Sequence, residues 1–130
     1  ALTAARKSAE LRPSDPRSAA RIGWVLYHGE RLDEAREAYL AFLQKFDRRH
    51  GLISMREAVR EARLALSNID LELGDYPAAT DWLQQVLDEF PEDIGAGNEL
   101  GYLWADRGEH LQRSLLLIER AVQADPENAA

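Results

Sequence analysis

Small residues return along this chain at a nearly constant interval, and that recurrence limits the folds open to it more than any other feature. Gly23, Ser67 and Gly101 are spaced by 44 and 34 residues, and Ala35, Ala79 and Ser114 by 44 and 35. Prolines keep the same beat: Pro91 and Pro126 are 35 apart, and Pro13 precedes Pro91 by 78, two intervals of 34 with ten residues over. Three series therefore agree on a unit of about 34 residues. Ten extra residues fall between Tyr39 and Ser67, and one between Gly108 and Ser114. A period of this length marks a stacked repeat in which no unit buries its own apolar face alone.

Each unit reads as two amphipathic helices joined by a tight turn. The turns run from Gly29 to Ala35, from Gly74 to Ala79 and from Gly108 to Ser114, and glycine there is expected to take the positive φ that ends the first helix. Asp15-Pro16 reads as an N-cap followed by proline at the first helical position, and Pro77 sits in a first turn, where a missing N–H costs nothing. The pattern predicts helices near 1–11, 16–29, 33–46, 52–73, 76–89, 94–107 and 111–124, and no strand. The fold class is thus all-α, about seven helices in antiparallel pairs.

These residues resemble the tetratricopeptide repeat family. Ile22-Gly23, Ala35 and Tyr39 match its pattern in the first full unit, Leu66-Ser67, Ala79, Leu83 and Pro91 in the second, and Leu100-Gly101, Trp104, Gly108, Ala121 and Asp125-Pro126 in the third. The stretch Leu100 to Gly108 is similar to bacterial members. The resemblance implies an α-α superhelix, a single solenoid over 1–130. Its parts are the second half of a repeat at 1–15, a repeat at 16–49, an insertion lengthening the next helix at 50–59, repeats at 60–93 and 94–128, and the start of a further unit at 129–130. Further repeats are therefore expected beyond both ends.

Composition narrows the chemistry. No cysteine is present, which excludes disulfides, thiolate metal sites and cysteine nucleophiles. The net charge of −7 argues against nucleic acid as the main partner, because phosphate binding needs a basic surface. No apolar run approaches the roughly 20 residues of a membrane span, so no direct membrane insertion is expected, and the N-terminus lacks the charged-then-apolar pattern of a signal segment. His28, His50 and His110 stand far apart without a second ligand at helical spacing. No nucleophile elbow or phosphate loop occurs, and Gly95, Gly97 and Gly101 fail the dinucleotide spacing. No catalytic residue, metal site or cofactor is expected; the compartment is open, with cytoplasm the default and periplasm the alternative.

Binding is the better prospect. The resemblance implies a concave groove lined by the first helix of each unit, which places Arg17, Trp24, Tyr27, Asn68, Glu72, Asn98, Tyr102 and Asp106 toward a protein or peptide partner. Asn68 and Asn98 suit hydrogen bonds to a peptide backbone, and Trp24, Tyr27 and Tyr102 suit apolar side chains. The basic and Asn clamp with which one branch of the family grips a C-terminal carboxylate is missing, since its positions hold Ala20, Trp24, Ala65, Gly95 and Glu99. An alternative basic patch comprises Arg48, Arg49, Arg56, Arg60 and Arg63. Residues 1–60 carry 12 basic and 8 acidic side chains, and residues 61–130 carry 4 and 15, a polarity suited to head-to-tail self-assembly as a homo-oligomer. The expected function is a non-catalytic interaction scaffold or adaptor; the alternative is a self-assembling or spacer segment of a larger protein.

Overall fold

The computed structural model describes residues 1–46 and 53–125. Among them are seven helices and no strand: α1 (Leu2–Leu11), α2 (Pro16–His28), α3 (Leu32–Phe46), α4 (Ile53–Glu72), α5 (Tyr76–Glu89), α6 (Ile94–Arg107) and α7 (Leu111–Ala124). Every predicted helix is present, with limits within one residue of those expected. Arg48, Arg49, His50 and Pro126 lie outside the described residues. The Asp15 carboxylate accepts from the Arg17 N–H at 3.1 Å ahead of Pro16, and Asp93 caps α6 through the Ala96 N–H at 3.1 Å. By contact the chain divides into two units, residues 1–79 and 80–130.

In the first unit α2 packs on α1, α3 and α4, and α3 packs on α4. Its core is Leu26, Phe42, Phe46, Val59, Leu66 and Ile69. On α4, Met55, Ala58, Val59, Ala62, Leu66 and Ile69 form a buried apolar stripe, while Leu73, just past the helix, is exposed. Burial of such side chains contributes about 1.5–3 kcal/mol each. In the second unit α6 packs on α7 around Leu100 and Trp104.

The recurring small residues are where paired helices touch. Gly23 lies under the Tyr39 ring, so close that a Cβ would stand 2.8 Å from it. At the equivalent contacts a buried serine hydroxyl donates to the facing backbone: Ser67 to the Ala79 carbonyl at 2.9 Å, and Ser114 to the Gly101 carbonyl at 2.6 Å. Serine substitutes here for glycine or alanine because its one donor finds a carbonyl and is not left buried without a partner.

The turns correct one expectation. Gly74 and Gly108 take positive φ, 86° and 68°, but Gly29 does not, and Glu30 takes it instead at φ 60°. The left-handed residue is the seventh after the small contact residue in every case: Glu30 after Gly23, Gly74 after Ser67, Gly108 after Gly101. Each is closed by the same bond, from the following N–H to the carbonyl five residues back: Arg31 to Leu26, Asp75 to Asp70 and Glu109 to Trp104. Position in the helix therefore decides the conformation, and Gly29 is one residue early. A non-glycine residue there costs about 1–2 kcal/mol, so Glu30→Gly is expected to raise stability by about 1 kcal/mol, read as a higher urea midpoint.

Candidate functional site

One face of α2 carries Arg17, Ala20, Arg21, Trp24, Tyr27 and His28, at the three- and four-residue spacing that aligns side chains along a helix. Opposite them α4 presents Ala58, Glu61, Ala62, Leu64, Ala65 and Asn68 by the same spacing. Together these residues line a groove of about 410 Å³ in the first unit, with Tyr39 beneath it. The alanines make the floor: Ala58 and Ala62 are buried, and Ala20 and Ala65 half-buried. Small side chains on both walls keep the groove open, and the aromatic rings form its rim.

Trp24 dominates that rim, with 46% of its surface exposed. The Arg21 guanidinium lies 4.4 Å from its ring centroid and the His28 ring 4.2 Å away, so the indole is braced in place while a large part of it faces solvent. The Tyr27 phenol lies near the Glu72 carboxylate, and its pKa is raised by burial first and by Glu72 second.

Tyr39 is buried, and its hydroxyl is pushed up to about 12, by burial first and then by Glu61 and Tyr27. An unfolded tyrosine ionises near 10, so between these values the unfolded chain holds fewer protons than the folded one. Stability is then full below pH 10 and is lost as pH rises toward 12, by about 2–3 kcal/mol. Urea midpoints across that window are expected to fall, and Tyr39→Phe to remove most of the slope.

Of the residues singled out in the sequence, Arg17, Trp24, Tyr27 and Asn68 meet in this groove, and Glu72 joins it through Tyr27. Asn98, Tyr102 and Asp106 belong to α6 in the second unit, where Tyr102 and Asp106 are exposed. Asn98 is half-buried there, and its Oδ1 has no hydrogen-bond partner among the described residues. Sequence reasoning missed Arg21 and, on α4, Ala58 and Ala62 as groove residues; Arg21 is signalled by its place four residues after Arg17 and three before Trp24. The basic patch is altered more. Arg63 is buried and does not stand on an exposed face, and Arg56 and Arg60 are half-buried. Among the described residues no group of three or more His, Asp or Glu side chains could hold a metal ion, and no helix is long and apolar enough to cross a membrane.

Paired helices with small contact residues, repeated in phase, define a helical-repeat protein. The tetratricopeptide repeat family model matches residues 1–50 and 64–129, and the chain belongs to that family. Among solved structures it is similar in fold to MamA 41-end from Desulfovibrio magneticus RS-1, at 22% identity and a TM-score of 0.73 over 98% of this chain and 66% of that one. A second MamA crystal structure gives 18% identity and a TM-score of 0.70 over 96% and 67%. BtubC from P. vanneervenii gives 21% and 0.72 over 98% and 55%. The chain thus spans about two thirds of the MamA chains and just over half of BtubC. No curated protein matches it. Tetratricopeptide repeats are in general modules for protein–protein interaction.

Proposed function

We propose that this chain is a non-catalytic scaffold or adaptor that holds a peptide or a partner helix in the α2–α4 groove. The observation that carries this reading is Trp24, a large aromatic braced by Arg21 and His28 and left nearly half exposed over an alanine floor. A rigid, amphipathic ring beside an open groove is the kind of side chain that anchors protein interfaces. Arg17, Asn68 and the Tyr27–Glu72 pair supply polar groups around it, and Asn98, Tyr102 and Asp106 offer similar ones in the second unit. Self-assembly through the basic patch has less support, because Arg56, Arg60 and Arg63 each already interact within the chain.

The test is selection of a display library of random twelve-residue peptides on the whole chain, followed by titration of the selected peptides. Trp24→Ala with Asn68→Ala is expected to weaken the tightest of them more than tenfold, while circular dichroism stays unchanged. Equal affinity for the variant would refute the assignment.

A further inference from the structure

The second unit is acidic: beyond residue 79 the chain carries eleven Asp and Glu side chains against three basic ones, Arg107, Arg113 and Arg120. Two of those three converge on one groove. It has a volume of about 440 Å³ and lies between α5 and α7, with Leu87, Pro91, Leu100 and Leu117 supplying its apolar lining. Arg113 and Arg120 stand on α7 seven residues apart, two turns of helix or about 10 Å along the axis. Between them sits Leu116, 61% exposed at the groove's edge.

Neither guanidinium meets a carboxylate among the described residues. Arg113 lies over the Trp104 ring at 4.9 Å from its centroid, and Arg120 donates a long 3.4 Å bond to the Pro91 carbonyl. Asp88 lines the same groove without pairing to either. Each arginine is thus held by a neutral group and forms no ion pair with a described carboxylate, in a unit otherwise rich in carboxylates. Unpaired like charges bracketing an exposed leucine over an apolar floor are complementary to an aliphatic side chain flanked by two carboxylates.

We infer that the α5–α7 groove is a second protein-docking site, separate from the α2–α4 groove, whose occupant is a peptide segment in polyproline II conformation with two acidic residues three positions apart around an aliphatic one. Polyproline II rises about 3.1 Å per residue with three residues per turn, so residues three apart share one edge about 9 Å from each other, close to the separation of the two arginines along α7. One intervening side chain enters the groove over Leu87, Leu100 and Leu117, and each carboxylate meets one guanidinium. The unit's remaining acidic side chains repel dense polyanions, which sets a short segment with two carboxylates apart from nucleic acid.

The experiment uses the same random twelve-residue library on the whole chain, with selected peptides titrated by fluorescence anisotropy. The expected result is a class of binders with Asp or Glu three positions apart around Leu, Ile or Val. Their affinity should fall at least tenfold with Arg113→Glu plus Arg120→Glu, fall with Leu116→Asp, weaken with added salt, and stay the same with Trp24→Ala plus Asn68→Ala. Replacing both peptide acids by lysine should restore binding to the Arg113→Glu, Arg120→Glu protein, an outcome that an unfolded variant cannot give. The inference is overturned if no such acidic class is selected, if the charge-reversed protein binds that class equally well, or if the lysine peptide fails to recover binding. Peptides that depend on Trp24 and ignore Arg113 and Arg120 report on the α2–α4 groove, so the two sites succeed or fail independently.

Discussion

Gly101→Val is expected to destabilise the packing of α6 on α7 by about 3 kcal/mol. A Cβ at Gly101 would stand 2.9 Å from Ile118 Cγ1, 3.0 Å from the Ser114 carbonyl oxygen and 3.3 Å from Leu117 Cβ. The Ser114 oxygen belongs to the backbone of α7, so it cannot swing aside as a side-chain terminus can. The helix must move away, and the 2.6 Å bond from the Ser114 hydroxyl to the Gly101 carbonyl goes with it, adding about 1 kcal/mol. Against this, valine gains only a few tenths of a kcal/mol of helix propensity over glycine. Amide exchange in α6 and α7 should accelerate roughly a hundredfold. Unchanged protection in both helices would show that the close approach is not what holds them.

Arg36→Met is expected to cost about 3 kcal/mol in the first unit. Arg36 Nε donates to Asp70 Oδ1 at 2.6 Å, joining α3 to α4, and Asp70 is only 1% exposed. Truncating the arginine leaves a buried carboxylate without its cation, and that desolvated charge is the main penalty. Asp70 makes further interactions within the chain, which places the cost at the lower end of the range for broken buried pairs. The double variant Arg36→Met, Asp70→Leu removes both charges and should recover most of the lost stability. A double variant as unstable as the single one would mean that the pair acts through shape and not through charge.

Helix limits were most legible where capping chemistry and the repeat interval coincide. Asp15-Pro16 fixes the start of α2 by capping chemistry, and the interval from Gly23 to the next small residue fixes which face turns inward. The exchange of Gly29 for Glu30 was not legible, since glycine composition marks a turn without saying which of two adjacent residues crosses to positive φ. Burial of Arg63 was hidden for a related reason. Periodicity gives the azimuth of a residue on its own helix but not how far neighbouring helices wrap around it. Of the groove, Arg17, Trp24, Tyr27 and Asn68 followed from the family resemblance, whereas the part of Arg21 depends on its contact with the Trp24 ring. The α5–α7 groove has no counterpart in the repeat pattern, because its two arginines acquire meaning only when α7 is packed and Leu116 is seen to lie between them.

Whether the α2–α4 groove receives a protein segment is read from amide chemical shifts as the tightest selected peptide is titrated into the labelled whole chain. The largest changes are expected on residues 17–28 of α2 and 58–68 of α4, with the Trp24 indole N–H among them. Largest changes confined to residues outside both segments would contradict docking in that groove.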